Sequence, residues 1–257
     1  GTPLVKFKRK WDKEKQILKI QVSQINSNKK NLYNDLPLII PINIAIFLNS
    51  YEKINKTLIL KEKEEEFTLE NINSKFDSPI ISYFRNFSAP IKWETDTTFA
   101  EKLLILEFET DYFTIYDTIK GIYKIIICKR IYEEPDTNIE NKLITTLRSI
   151  IKNNESINLS LLSEILSIPT FSEIESEIKK IDPLKIYKTI DDLNYLFGTK
   201  LKVELLNKLK EIDKNITKIW PEGKDERKLI ETIWRLLLHS KYEGIKNEVI
   251  SYIAVSY

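Results

Sequence analysis

The residue types that most often carry catalysis or bind metals are scarce in this sequence, which contains one His and one Cys. A zinc site needs three or four converging ligands, usually His or Cys, and His239 and Cys128 lie far apart in the chain. His239 follows a run of Leu near the end of a predicted helix, where a capping role is favoured. Cys128 follows a row of Ile, so we expect a buried and unreactive thiol.

Motifs that mark common enzyme classes are also missing from the sequence. No Gly-x-Ser-x-Gly segment occurs, and five glycines in 257 residues do not supply a phosphate-binding loop. We therefore predict no catalytic residue, no cofactor-binding residue and no metal ligand in this chain. The residues by themselves favour an accessory or binding module.

The balance of charge and apolar residues excludes several kinds of partner. Forty basic and 38 acidic side chains leave a net charge near +2, so we predict no nucleic-acid partner and no membrane partner. The basic and aromatic run at residues 6–11 is typical of single-strand binders, but a strand would place its Lys side chains opposite Phe7 and Trp11. No apolar run reaches the ~20 residues that a membrane helix needs.

The single Cys and the first residues suggest the compartment of the protein and indicate that it belongs to a longer chain. Because one Cys cannot form a disulfide framework, a reducing compartment, the cytoplasm, fits best. The sequence begins Gly1-Thr2-Pro3 and contains no Met, so we expect it to be part of a longer chain. That longer chain is called the parent chain below.

Apolar and polar residues alternate with period two in the first third of the chain, which predicts strands with one buried face. The alternation covers residues 5–11, 18–22 and 42–48. Shorter strands are predicted at 58–61, 67–69 and 90–93, and polar breaks such as 26–34 separate them. Pro90 is placed at the start of its strand because proline lacks the N–H of a central ladder. The acidic segment 62–66 is interpreted as a charged loop or as the guard of a sheet edge.

Six or seven short strands without an intervening helix predict an immunoglobulin-like β-sandwich over residues 1–95. After residue 95 the apolar period changes to 3.6, which predicts eight or nine helices. Capping boxes are predicted at Thr98 with Glu101 and at Thr170 with Glu173. The apolar stripes of further helices cover residues 139–151, 161–166, 171–178, 200–212, 225–238 and 244–255.

Start and stop signals are strongest for one helix in the middle of this series. Asp182 is its predicted N-cap, Pro183 occupies its first turn, and Gly198 is its predicted end. Asp111 is predicted to open an earlier, longer helix. Short turns between helices predict a closed bundle or an open solenoid over residues 96–257. The last predicted helix stops at Tyr257 without a polar cap, so we expect an incomplete array. The predicted fold class is therefore α+β, a sandwich followed by an all-α array.

Several short segments occur in an informative order. Arg85 and Phe-Ser-Ala-Pro-Ile-Lys at 87–92 are followed by Tyr-Phe-Thr-Ile-Tyr-Asp at 112–117, Ser-Glu-Ile-Leu-Ser-Ile-Pro at 163–169 and Ile-Asp-Pro at 181–183. Together with the strands at 5–24 and 36–47, these segments resemble the C-terminal part of bacterial-type aminopeptidase N, a family of zinc-dependent metallo-aminopeptidases. In that family the first segment ends the sandwich domain, the second opens the helical domain, and the last two resemble later stretches of the family. The resemblance implies an ARM/HEAT-like solenoid for the helical array.

The resemblance also implies a function for the parent chain. The family removes N-terminal amino acids from peptides, binds zinc through His-Glu-x-x-His and a later Glu, and holds the substrate amino terminus with Gly-x-Met-Glu-Asn. This sequence, with one His and no Met, contains neither motif, so the resemblance implies a non-catalytic C-terminal fragment. Zinc is then expected in the catalytic domain of the parent chain. The expected partners are the parent's catalytic and N-terminal domains and its peptide substrates, with the present segment spacing and capping the catalytic domain.

A second hypothesis needs no protease. An adaptor or scaffold could use the groove of a helical solenoid to bind a partner protein or an extended peptide. A parent chain without protease motifs, together with a specific partner, would favour this hypothesis over the first.

Overall fold

The computed structural model describes residues 2–25, 36–153, 157–175, 182–213 and 222–255. The chain divides into two compact units, residues 1–115 and 116–257. The predicted polar break at 26–34, the last residues of the predicted helix at 171–178, and both Ile181 and Tyr257 lie outside the described residues. Within the described ranges, no helix has the length and apolar content needed to cross a membrane.

The described part of the first unit contains seven strands. Their bounds are β1 (Leu4–Asp12), β2 (Ile17–Ile25), β3 (Ile40–Phe47), β4 (Lys53–Leu60), β5 (Glu64–Leu69), β6 (Ile80–Ser82) and β7 (Lys92–Glu94). A four-stranded sheet has the order β5-β2-β1-β7, and a three-stranded sheet has the order β4-β3-β6. Paired strands are antiparallel except β1 and β7, which are parallel.

The two sheets bury one face each in a common core, because their apolar residues alternate with polar ones. In β2, for example, Leu18, Ile20 and Val22 are fully buried, and each is followed by a less buried residue. The core also includes residues of β1, β3, β4 and β6. The predicted sandwich is thus confirmed.

Some details of the strands differ from the prediction. β6 was not predicted, since three residues are too few to show an alternation. Pro90 was predicted to start a strand, but β7 begins two residues later at Lys92. The acidic segment belongs partly to β5, an edge strand on which Glu64 and Glu66 are exposed, so it lies where a charged edge discourages further strand pairing.

The first unit also includes the helix α1 (Phe99–Phe108) and the start of α2 (Tyr112–Tyr132). Ile105 of α1 packs with Ala45 and Phe47 of β3 and with Ile80 of β6. These strand residues lie on the face opposite the sandwich core, so α1 covers the outer face of the three-stranded sheet. That cover explains why the last four residues of β3 are buried on both faces.

Helices make up the second unit, in which α2 continues. They are α3 (Thr137–Asn153), α4 (Leu159–Leu166), α5 (Phe171–Glu175), α6 (Pro183–Lys200), α7 (Lys202–Asp213), α8 (Lys224–His239) and α9 (Glu243–Val255). α8 is the central helix and packs against α4, α6, α7 and α9. Leu236 and Leu237 of α8 are fully buried in these contacts. The predicted order, a sandwich followed by a helical array, is confirmed.

Most predicted helix starts are confirmed, but one predicted end is wrong. Thr98 and Glu101 form a capping box, and Asp182 caps α6 by accepting a hydrogen bond from the Lys185 N–H. α6 continues past Gly198 to Lys200. Gly198 is needed for a different reason, since a Cβ at this position would overlap the backbone carbonyl of Leu236 in α8.

Candidate functional site

The two residues first considered for chemistry lie in separate surroundings. His239 is the last residue of α8, as a capping role requires, and its Nδ1 lies 3.9 Å from the Asp191 carboxylate. Cys128 is partly exposed, so the prediction of a buried thiol is wrong. Ile126 and Ile127 occupy the buried face of α2, and the next residue turns ~100° away from that face. Among the described residues, no group of three or more His, Cys, Asp or Glu could hold a metal ion.

A buried carboxylate in the first unit has several polar partners from different elements. Glu109 follows the last residue of α1, and its side chain is fully shielded from solvent. Three donors from the sandwich surround it: Ser82 ends β6, Lys53 begins β4, and Arg85 follows in the turn after β6. In the sequence, Arg85 stands out only as part of the family resemblance, and no motif points to Glu109. We call these four residues the Glu109 cluster.

Five hydrogen bonds converge on the Glu109 carboxylate. Its Oε2 accepts from Ser82 Oγ at 2.5 Å. Its Oε1 accepts from Lys53 Nζ and Arg85 Nη2, each at 3.1 Å, and from the backbone N–H groups of Thr110 and Asp111 at 2.6 and 3.0 Å. The carboxylate therefore has charged, hydroxyl and backbone donors at once, an arrangement in which ionised oxygens bond most strongly.

The pKa of Glu109 follows from this environment. Burial raises the pKa, because it disfavours the charged form. The hydrogen bonds from Ser82 and from the two backbone N–H groups, together with the charge of Arg85, oppose burial and bring the pKa below its ordinary value. Glu109 is therefore a carboxylate at neutral pH, and its acceptor sites are already used by the protein. This arrangement suits an anchor rather than a general acid or base.

The turn after β6 is fixed to the same region. Arg85 Nη1 donates to Asn55 Oδ1 of β4 at 2.6 Å, and the Asn86 N–H donates to Asp111 Oδ2 at 3.0 Å. Asp111 Oδ1 also accepts from the Thr114 N–H at 2.9 Å, which caps α2 as predicted. The corner between α1 and α2 is thus bound to the sandwich through side chains on both sides of the turn.

A second, partly buried ion pair holds the other end of α1. Arg9 Nη2 lies 2.5 and 2.6 Å from the two carboxylate oxygens of Glu101. Burial lowers the pKa of Arg9, but the hydrogen bond and charge of Glu101 outweigh it, so the guanidinium stays charged. Arg9 belongs to the inward row of β1 with Phe7, whereas Lys8 and Lys10 are exposed on the other face, where the Lys residues were predicted. The two clusters therefore bind both ends of α1 to the sandwich.

The amino-acid sequence matches two family models. Residues 1–96 match "Domain of unknown function (DUF3458) Ig-like fold", and residues 100–254 match "Domain of unknown function (DUF3458_C) ARM repeats". Because the second model covers more than half of the chain, the chain belongs to the DUF3458_C family, and a DUF3458 domain precedes that match.

Curated relatives of this DUF3458 chain include two bacterial enzymes named aminopeptidase N. The Escherichia coli protein is 23% identical over 219 residues, which are 80% of this chain and 25% of that protein. The Haemophilus influenzae protein is 23% identical over 195 residues, which are 71% of this chain and 22% of that protein. The DUF3458 chain therefore spans about a quarter of the length of these relatives, and its resemblance to the aminopeptidase N family is confirmed.

A solved structure has the same fold. A crystal structure of Legionella pneumophila aminopeptidase A in complex with aspartic acid matches 97% of the DUF3458 chain with a TM-score of 0.81 and 20% sequence identity. The match covers 29% of the Legionella chain. At this identity the comparison supports the fold of the DUF3458 chain.

Proposed function

We propose that this chain is a non-catalytic part of a zinc metallo-aminopeptidase, in which it spaces and caps the catalytic domain. The enzyme removes N-terminal amino acids from peptides, and it works in the cytoplasm. The observation that carries the proposal is the similarity to aminopeptidase N along 80% of this chain but only 25% of the relative. The single Cys favours a reducing compartment for it.

The donor groups of this chain do not fit the zinc site that the family implies. Its one histidine, His239, lies beside Asp191, and the described residues contain no cluster of three potential ligands. A catalytic zinc needs three protein ligands and an open position for water. We therefore assign the metal to the catalytic domain of the parent chain, and no catalytic step to the residues of this chain.

The role proposed for the first unit is mechanical. Arg9 with Glu101, and Glu109 with its donors, bind the two ends of α1 to the sandwich. Helix α2 begins at this fixed corner and continues into the helical array. A buried and fully bonded carboxylate resists local opening, because opening would expose several charge-assisted hydrogen bonds at once. The corner is thus suited to hold α1 and the first turn of α2 in a constant geometry on the sandwich.

The experiment compares the parent chain with the 257-residue chain. The coding region before residue 1 is expected to encode a His-Glu-x-x-His helix, and the parent protein is expected to cleave an aminoacyl-arylamide. The 257-residue chain alone is expected to bind no stoichiometric zinc and to cleave nothing. A parent chain without the motif would overturn the proposal.

The adaptor function stays a second candidate because of one surface feature of the helical unit. Leu184, Tyr187 and Tyr195 are 82, 57 and 50% exposed and lie on one stripe of α6. Tyr187 stacks on Phe171 with ring centroids 4.9 Å apart. Exposed apolar residues in such a stripe are typical of peptide or protein contacts. Capture of one specific partner by a parent chain that lacks protease motifs would favour this candidate.

A further inference from the structure

The edges of the two sheets differ in how much backbone they offer to a further strand. Within the described residues, the edge strands are β5 and β7 in the four-stranded sheet and β4 and β6 in the three-stranded sheet. β6 and β7 have three residues each, and such short strands offer little backbone for pairing. β4 has eight residues and β5 has six. The free backbone N–H and C=O groups of β4 are therefore the longest template for strand addition.

One side chain of β4 interrupts the apolar row that faces the sandwich core. The register with β3 pairs Ile54 with Ile46, Lys56 with Ile44, and Leu58 with Ile42. Residues paired in this way point to the same face of a sheet. The three Ile residues of β3 are buried in the core, and Ile54 and Leu58 pack in the same cluster. Lys56 thus occupies the core-facing row of β4, yet it is exposed.

No local contact accounts for a charge at this position. In the part of the chain that the structure describes, the Lys56 ammonium group has no hydrogen bond or ion pair. Glu65 lies in the core-facing row of β5, opposite Val22, but its carboxylate accepts hydrogen bonds from the backbone N–H groups of Lys61 and Glu62. Glu65 therefore stabilises the connection between β4 and β5, whereas Lys56 makes no such contact.

The position of Lys56 along β4 indicates which partner strand it would exclude. Two copies of β4 related by a twofold axis would pair as antiparallel strands, with both core-facing rows on the same side of the joined sheet. Lys56 is the fourth of eight residues, so the pairing with the greatest overlap places it opposite or diagonal to its counterpart in the second copy. Like charges across a strand pair destabilise it.

We propose that Lys56 is an edge guard, a residue that keeps β4 from pairing with β4 of a second copy of this chain. An added strand would also cover the core-facing row, and burying an unpaired ammonium group there is costly. An inward-pointing charge on an edge strand is one of the ways in which natural sheets avoid edge-to-edge association. The inference does not depend on the proposed aminopeptidase, because it concerns only the strands of the first unit.

Sedimentation velocity and hydrogen exchange of the β4 amides, over a wide range of protein concentration, test the proposal on the 257-residue chain. Lys56→Val and Lys56→Thr are expected to raise the weight-average mass at least ~1.5-fold at the highest concentration, since a dimer doubles it. Their β4 amides are expected to exchange at least ~10-fold more slowly there than at the lowest concentration. Lys56→Glu keeps a charge in the row, so it is expected to stay monomeric like the unaltered chain.

Lys8→Val is the matched control. Lys8 is also exposed, but it lies on β1, a strand with neighbours on both sides. The control makes the same change of side chain away from an edge, so its mass and β4 exchange are expected to match those of the unaltered chain. Lys56→Thr adds little apolar surface, which separates the loss of charge from the gain of a hydrophobic side chain. Exchange of the buried β2 amides at the lowest concentration verifies that each variant is folded.

Four results would overturn the proposal. If Lys56→Val and Lys56→Thr both stayed monomeric, the lysine would not guard the edge. Association with unchanged β4 exchange would place the contact elsewhere on the chain. Equal association of Lys8→Val would attribute the effect to surface charge in general. Protection of β4 that rises with concentration in the unaltered chain would show that this edge pairs in spite of Lys56.

Discussion

Replacing Glu109 tests whether the corner between α1 and α2 is an anchor. Four of the five hydrogen bonds to its carboxylate end on Oε1, and one ends on Oε2. In Glu109→Gln the amide oxygen can keep the four donors, and the new NH₂ group can donate to Ser82 Oγ. This variant therefore removes the negative charge and little else, whereas Glu109→Ala removes every bond.

The expected loss of stability depends on the positive charges that stay buried when the negative charge of Glu109 is removed. Removing one partner of a buried ion pair costs ~3–5 kcal/mol, because the other charge remains buried. Lys53 and Arg85 are 20 and 14% exposed, and each keeps a second partner, Thr110 and Asn55 respectively. The cost should therefore be smaller, about 2 kcal/mol for Glu109→Gln. Glu109→Ala should cost about 4 kcal/mol, since it also leaves buried donors unbonded.

Hydrogen exchange of the amides of β3 and β6 measures this loss, since exchange reports the free energy of local opening. Glu66→Gln is the matched control, because Glu66 lies on the edge strand β5 and bonds the exposed Lys19 at 2.7 Å. We expect the control to exchange as the unaltered chain does. If Glu109→Gln also exchanged like the unaltered chain, the anchor would be refuted.

Three further predictions follow from the same contacts. The difference in stability between the unaltered chain and Glu109→Gln should be fully present above 4.5, the ordinary pKa of Glu, and should disappear as pH falls through the lowered pKa of Glu109. Urea unfolding at a series of pH values measures this difference. Arg9→Ala should destabilise the first unit by about 2–3 kcal/mol, because the Glu101 carboxylate, which is only 14% exposed, loses its ion pair. Hydrogen exchange of the α1 amides should report this loss. Gly198→Ala should cost at least ~2 kcal/mol of stability in the helical unit, since the new methyl group would overlap the Leu236 carbonyl of the packed helix α8. Thr199→Ala, a substitution at the exposed neighbouring residue, should leave the stability unchanged. Thermal unfolding measures both.

Much of the fold could be predicted because its signals are local. The strands of the sandwich show the alternation of a sheet with one buried face, and Thr98 and Asp182 show the residue types of helix N-caps. Gly198 has the residue type of a helix end, but its structural reason is the approach of α8, which follows much later in the sequence. No local pattern around residue 198 contains that information.

The clusters that hold α1 were harder to predict for the same reason. Arg9 sits in a run of basic residues, and its partner Glu101 is 92 positions away. Glu109 gathers donors from β4, β6 and the following turn, which only the folded chain brings together. The sole sequence signal was the family resemblance at Arg85 and 87–92, since this segment contains one of the donors. An alternation of residue types predicts which face of a strand is buried, but not which charge is buried with it.

Cleavage of an aminoacyl-arylamide by the parent chain and by the 257-residue chain tests the central proposal most directly. We expect the parent chain to release the arylamine and to lose this activity when zinc is chelated. The 257-residue chain, at the same molar concentration, is expected to release none. Release by the 257-residue chain itself, or a zinc-loaded parent chain that cleaves no N-terminal residue, would contradict the account.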